Sequence, residues 1–201
     1  MPTAIEFSAA VWIERNTEGG IHLSPEAQQA VANFTTMWNF FESTLCDNRA
    51  SIAAFERAVQ RYEPIRVPES TAQALEVCLT FWRFRYRVSG GFSPRFDGLY
   101  FRQCDRRAHV EEVLSGKAND KRAKMLSLMI IVYRLRNNLF HGLKTLEALE
   151  NDQVENLTKA SRCLAAIMEP IPSRFVAVRR SHGRANHERL GFSLRNERAR
   201  L

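Results

Sequence analysis

Apolar side chains recur every three to four positions along most of this chain, which is the spacing of one face of an α-helix. The stripe from Val31 through Phe34 and Trp38 to Leu45 is a clear example. The pattern predicts a mainly α fold, a helical bundle of four to five helices. The predicted helices, one of them short, cover residues 24–46, 49–63, 68–88, 105–114, 120–149 and 153–168.

Local signals place the ends of several helices. Ser24-Pro25-Glu26 offers a capping hydroxyl, a proline at the first helical position and an early acid. Asp47 or Asn48 can cap the second helix, and Pro64 ends it. Pro68 opens the third helix in the manner of Pro25.

The N-terminal residues have strand character instead. Residues 3–14 alternate loosely between apolar and polar, residues 16–20 are typical of a turn, and residues 21–23 can return as a strand. We therefore predict a small β-hairpin within an N-terminal extension, residues 1–23.

The C-terminal residues differ in charge from the rest of the chain. Residues 173–201 hold eight arginines and two glutamates, so they carry +6 of the net charge of +7. We predict a helical domain over residues 1–172 and a basic, partly extended tail over residues 173–201. The tail is either a disordered arm or a small hairpin.

Composition narrows the class of protein. The 201 residues are 45% hydrophobic and 25% charged, which is typical of one globular domain. No uncharged apolar run approaches the roughly 18 residues of a membrane span, and no secretory leader pattern begins the chain. The four cysteines and five histidines lack the spacings of metal sites. We expect a cytoplasmic protein with no metal, no cofactor and no membrane partner.

The positive charge favours a nucleic-acid partner. Most basic residues are arginines, whose planar donor fork suits phosphate. Residues 81–87 alternate aromatic and arginine side chains, and on a helix we predict that Phe81, Phe84 and Val88 pack inward. Such interleaving can bind single-stranded nucleic acid by stacking and charge. Alternatively, this stretch is a core helix with a solvated basic side. The arginines that we predict to bind RNA are Arg83, Arg87, Arg95, Arg102, Arg179, Arg180 and Arg184.

One polar cluster interrupts the longest predicted helix. Residues 125–133 are apolar almost all round, and the helix then presents Arg136, Asn137, Asn138 and His141 within about one turn. Polar groups at a buried helix end are costly unless they are paired or used. The apolar surplus upstream suggests a second buried face, and hence a partner helix or a dimer.

The residue types of this cluster suit RNA cleavage without metal. Histidine transfers protons near neutral pH, and arginine stabilises phosphate charge. On a helix, Asn137 and His141 share a face, whereas Arg136 lies about 140° from His141. That geometry favours a site shared by two copies. The alternative is structural: Arg136 pairs with Glu42 or Glu147, and His141 caps the helix.

Arg136, four intervening residues and His141, with Asn137 after the arginine, resemble the R-x4–6-H motif of the HEPN superfamily. The resemblance is specific over about seven residues and general over residues 24–168. It implies a small helical bundle and a metal-independent endoribonuclease whose homodimer joins two motifs through the helix that carries Arg136 and His141. Many members are toxins or anti-phage defence effectors, and others are non-catalytic binding or scaffold domains.

From the motif and the resemblance together we expect an endoribonuclease that leaves 2′,3′-cyclic phosphate ends. Arg136, His141 and Asn137 are the candidate catalytic residues. RNA is the expected substrate, and an antitoxin or another protein is a candidate partner. The alternative is a non-catalytic RNA-binding or scaffold subunit of a larger complex.

Overall fold

The computed structural model of the chain describes residues 7–17, 22–61, 68–140 and 153–169. The chain divides into two compact units, residues 1–169 and 170–201. All described residues belong to the first unit. Residues 173–201, with the predicted tail and its arginines, lie outside the described residues.

Within the described ranges the fold is mainly α, as predicted, with one two-stranded hairpin. The helices are α1 (Ala9–Asn16), α2 (Pro25–Leu45), α3 (Ile52–Arg61), α4 (Glu69–Tyr86), α5 (Pro94–Asp97), α6 (Arg107–Leu114), α7 (Lys121–Phe140) and α8 (Val154–Met168). The antiparallel strands are β1 (Arg87–Val88) and β2 (Gly91–Phe92).

Local capping explains where the helices begin. The Ser24 hydroxyl oxygen accepts a hydrogen bond from the Ala27 amide at 3.1 Å, as the sequence predicts. The predicted cap of α3 is wrong by a few residues, because Ser51 accepts from the Ala54 amide at 3.2 Å. Asp47 and Asn48 form the preceding turn instead, with φ angles of 51° and 60°.

The predicted N-terminal hairpin is wrong where the structure describes it. Residues 9–16 form α1, which the Ser8 hydroxyl caps through the Val11 amide at 3.4 Å. No residue of α1 is buried, so the loose apolar alternation reflects no sheet face. Residues 1–6 and 18–21 of the predicted hairpin lie outside the described residues. The hairpin that is present joins α4 to α5 and turns through Gly90, whose φ is 85°.

Helix α7 lies at the centre of the packing. Every residue from 125 to 132 is buried, and the helix contacts α3, α4, α6 and α8. Helices α2 and α4 pack in turn on α8. The apolar surplus of residues 125–132, from which we expected a partner helix or a dimer, is therefore covered by helices of the same chain. None of the described helices is long and apolar enough to cross a membrane.

The orientation of α4 differs from the prediction. Trp82 and Tyr86 face the core and are 0% and 2% exposed, whereas Phe84 is 89% and Val88 50% exposed. The sequence contains two overlapping apolar stripes on this helix. The stripe that contains Trp82 and Tyr86 continues upstream through buried leucines and is the one that packs inward; the leucines are Leu75 and Leu79.

Candidate functional site

The described part of the candidate site is the last turn of α7. Arg136, Asn137 and Asn138 lie on this turn, and the helix is described as far as Phe140. His141 lies outside the described residues, as does Glu147. The structure therefore describes two of the three candidate catalytic residues.

Arg134 and Asn138 are one helical turn apart and hold the segment 98–105 against α7. The Arg134 side chain donates from Nε to the Leu99 carbonyl at 3.0 Å and from Nη2 to the Tyr100 carbonyl at 2.6 Å. Asn138 donates from Nδ2 to the Gly98 carbonyl at 3.0 Å. These two residues are structural, because they satisfy consecutive carbonyls of an irregular segment.

A buried ion pair completes this attachment. Arg134 Nη1 lies 3.0 Å from Asp105 Oδ2, and both residues are 2% exposed. Burial lowers the pKa of Arg134, and the Asp105 charge opposes that effect. The same Asp105 oxygen accepts from the Arg102 amide at 2.7 Å, so the carboxylate is also a cap within its own loop.

Sequence reasoning missed the role of Arg134. The available signal was an arginine at the end of a nine-residue apolar run, where a solvated side chain would be unexpected. Its partner Asp105 lies in the least regular interior segment, and no spacing rule connects the two positions.

Arg136 and Asn137 form a second polar group on the same turn. The Arg136 guanidinium carbon lies 5.6 Å from the centre of the Trp38 ring, on α2. Arg136 Nη1 donates to Asn137 Oδ1 at 3.3 Å. Asn137 is 4% exposed, and Arg136 is half-buried. A partly desolvated arginine over an indole face is held in orientation while it keeps its charge.

Trp38 is itself held in place from α2 and α7. Its Nε1 donates to Glu42 Oε2 at 2.9 Å, and Glu42 Oε1 accepts from the Ala50 amide at 3.0 Å. The Tyr133 ring stacks on the indole with centroids 6.1 Å apart. Glu42, which we considered as a partner of Arg136, thus holds the Trp38 ring against which the Arg136 guanidinium lies.

Arg83 has a structural contact network, which competes with its predicted role in RNA binding. Its Nη1 lies 3.1 Å from Glu76 Oε1, and its Nη2 donates to the Val113 carbonyl at 3.2 Å. Lys124 Nζ donates to the other Glu76 oxygen at 2.9 Å. These hydrogen bonds, chiefly that from Lys124, lower the pKa of Glu76. The network joins α4, α6 and α7.

The other predicted RNA-binding arginines are exposed where the structure describes them. Arg87 lines a groove of about 470 Å³ together with Phe92 and Lys117. Arg95 lies on α5, and Arg102 lies in the segment that Arg134 holds against α7. Arg102 is therefore connected to the end of α7 through the segment 98–105. Arg179, Arg180 and Arg184 lie outside the described residues.

Within the described ranges, no group of three or more histidine, cysteine, aspartate or glutamate side chains is arranged to hold a metal ion. Comparison with known proteins finds no matching family model, no matching curated protein and no matching solved structure.

Proposed function

We propose that this chain is a metal-independent endoribonuclease of HEPN type, with Arg136, Asn137 and His141 at its active site. One observation carries the proposal. Arg136 is held between the Trp38 ring and the Asn137 amide at the end of α7, five residues before the only histidine of the motif. A guanidinium fixed in this way is suited to a phosphate group.

Two copies of the motif would supply the groups that the reaction needs. The 2′-hydroxyl oxygen attacks the adjacent phosphorus, the bond to the 5′-oxygen breaks, and the products are a 2′,3′-cyclic phosphate and a 5′-hydroxyl. Arg136 would stabilise the negative charge on the five-coordinate phosphorus. His141 would transfer a proton to or from one of the two oxygens. Asn137 would position Arg136, through the hydrogen bond described above.

Acid and base roles require two groups, and the motif offers one histidine per chain. We therefore place the activity in a homodimer that joins two motifs, with the second histidine supplied by the partner copy. The biological role that fits such a cytoplasmic nuclease is a toxin or an anti-phage defence effector, with an antitoxin as a candidate partner.

The test is an RNA cleavage assay with purified protein in EDTA, followed by analysis of the product ends. His141→Ala should abolish cleavage. Arg136→Lys keeps the charge but loses the fork, and should slow cleavage by about 100-fold or more. The matched control is Arg61→Ala, which removes an exposed arginine from the last turn of α3 and should leave the rate unchanged.

A second candidate is a non-catalytic RNA-binding or scaffold subunit. The burial of Asn137 and its bond to Arg136 favour this role, because structural polar clusters have the same features. Cleavage that survives in folded His141→Ala, or that requires Mg²⁺, would contradict the nuclease. RNA binding without cleavage, in a protein whose Arg136→Ala variant loses stability, would favour the second candidate.

A further inference from the structure

Two buried thiols lie on helices α4 and α8, which pack against each other. Cys78 lies on α4 and Cys163 on α8, between two contacts that join these helices: Thr71 Oγ1 donates to Glu169 Oε2 at 2.7 Å, and Arg85 Nη1 lies 3.9 Å from Glu155 Oε2. Both are free thiols in the structure. The remaining cysteines lie elsewhere: Cys46 follows α2, and Cys104 lies in the segment between α5 and α6.

The two thiols differ in their access to solvent. Cys78 is 5% exposed and lines an open groove of about 320 Å³ between α4 and α8. Cys163 is fully buried behind it. The groove contains two cations, Lys159 and Arg162, and no acidic side chain lines it. A small polar reagent that enters the groove therefore meets Cys78 first.

The surroundings also distinguish the two thiols chemically. The hydrogen bond from Cys163 lowers the pKa of Cys78, and the charges of Lys159 and Arg162 act in the same direction. The same hydrogen bond, together with burial, raises the pKa of Cys163. Cys78 lines the groove and Cys163 does not, so Cys78 is the attacking thiol and Cys163 the resolving one; the lowered pKa of Cys78 acts in the same direction, because the thiolate is the nucleophilic form of cysteine.

We propose that Cys78 and Cys163 form an oxidative modification site that reacts with hydroperoxides and closes to a disulfide between α4 and α8. The proposal is independent of the nuclease activity proposed above. Because both cysteines lie between the same two contacts of α4 with α8, the sulfur–sulfur bond would join side chains of two helices that already pack against each other.

The reaction proceeds in two steps, through a sulfenic acid on Cys78. The Cys78 thiolate attacks the outer oxygen of the hydroperoxide, the oxygen–oxygen bond breaks, and the leaving oxygen takes a proton. Cys78 is then a sulfenic acid. The Cys163 sulfur attacks the Cys78 sulfur, loses its proton and displaces hydroxide, which leaves as water. Two thiols are oxidised by two electrons in total, and one hydroperoxide is reduced to water and an alcohol, or to two waters.

The other two cysteines provide internal controls. Burial raises the pKa of Cys46 to about 12, and the nearby Glu42 and Asp47 charges add to this effect. Cys104 is exposed, but its sulfur lies 3.8 Å from a carboxylate oxygen of Asp105. If solvent exposure alone decided reactivity, Cys104 would react first. The proposal requires Cys78 to react first.

The experiment uses the full, reduced chain and hydrogen peroxide. We expect the intact mass to fall by two hydrogen atoms, and a non-reducing peptide map to contain one linked pair, Cys78 with Cys163. In Cys163→Ser, dimedone should trap a sulfenic acid on Cys78. In Cys78→Ser, neither product should form, whereas Cys104→Ser should behave like the parent chain.

A variant that leaves both thiols in place tests the role of the groove. Lys159→Gln and Arg162→Gln together should slow disulfide formation severalfold without changing which cysteines are linked. Oxidation of Cys104 before Cys78 in the parent chain would overturn the proposal, and so would a linked pair other than 78 and 163. Both outcomes are measured on the parent chain, so they do not depend on the folding of any variant.

Discussion

Arg134 keeps its charge inside the molecule because three oxygens meet its guanidinium there. Two are backbone carbonyls of the segment 98–105, and the third is the Asp105 carboxylate. Desolvation of an arginine is offset only when its donors and its charge are matched in this way. The same segment is also bound by Asn138, so side chains one helical turn apart on α7 attach the loop to the end of the helix.

Asp105→Asn should destabilise the fold by about 3–5 kcal/mol, because the substitution leaves a buried guanidinium without its counter-charge. Urea denaturation followed by circular dichroism would measure the loss. The control is Asp97→Asn, which removes an exposed carboxylate that pairs with Arg107 and should cost at most about 1 kcal/mol. Equal losses in the two variants would contradict the assigned role of Asp105.

Truncation of the two aromatic residues at positions 82 and 84 should change the stability of the fold by very different amounts. Trp82→Ala removes a fully buried indole and should cost about 3–5 kcal/mol. Phe84→Ala removes an exposed ring and should change stability by less than about 0.5 kcal/mol. Thermal unfolding of the two variants measures the difference, and a larger loss from Phe84→Ala would mean that α4 is rotated from the orientation described.

The start of α2 could be predicted from the sequence because local groups set it. Ser24 and Pro25 begin α2, and the long apolar periodicities specify α4, α7 and α8. The rotation of α4 about its axis could not be predicted, because two aromatic stripes compete and only the packing partners decide between them. Helix α1 was missed because its eight residues are too few for a helical period to be told from a strand pattern, and none of them is buried.

The contact network of Glu76 joins three helices and gives stability a pH dependence. Its carboxyl pKa is lowered in the folded state, so this stabilisation is present above the unfolded pKa and is lost as the pH falls through the folded one. Glu76 is 44% exposed, and the effect should therefore be small, about 0.2–1 kcal/mol.

Glu76→Gln should lower the free energy of unfolding near neutral pH and reduce its decline in the acidic range. Urea denaturation at low salt, at about pH 6 and about pH 3, would measure both effects. The control is Glu112→Gln, which removes an exposed carboxylate of α6 and should leave the pH dependence of the parent chain. A parent-like pH dependence in Glu76→Gln would show that the network contributes nothing.

At the scale of the whole molecule, α7 explains both the success and the limits of prediction. Its apolar run indicated a central helix, which the structure confirms. The same run could not reveal whether its surplus surface meets a partner or the chain itself, because that depends on where distant helices pack. Four helices of the same chain cover it. The basic, partly extended tail over residues 173–201 remains a prediction from the sequence alone.

If the tail gathers RNA, replacing Arg179, Arg180 and Arg184 together by glutamine should weaken binding more at low salt than at high salt. The slope of log affinity against log salt should decrease by about two, because three phosphate contacts to a single strand are lost. Fluorescence anisotropy with a labelled RNA measures the slope. A triple variant at Arg49, Arg57 and Arg61, which are exposed around α3, is the matched control.

Residues 125–132 are buried on every side of α7, and this burial should slow the exchange of their amide protons with solvent. Their amide protons can exchange with deuterium only when the surrounding helices separate, so they should be the slowest protons in the chain to exchange. The exchange rate of Ile130 then measures the opening of the whole helical unit. Arg136 lies less than two turns beyond this run. The end of α7 is therefore continuous with the residues that we expect to be exposed to solvent last when the helices separate.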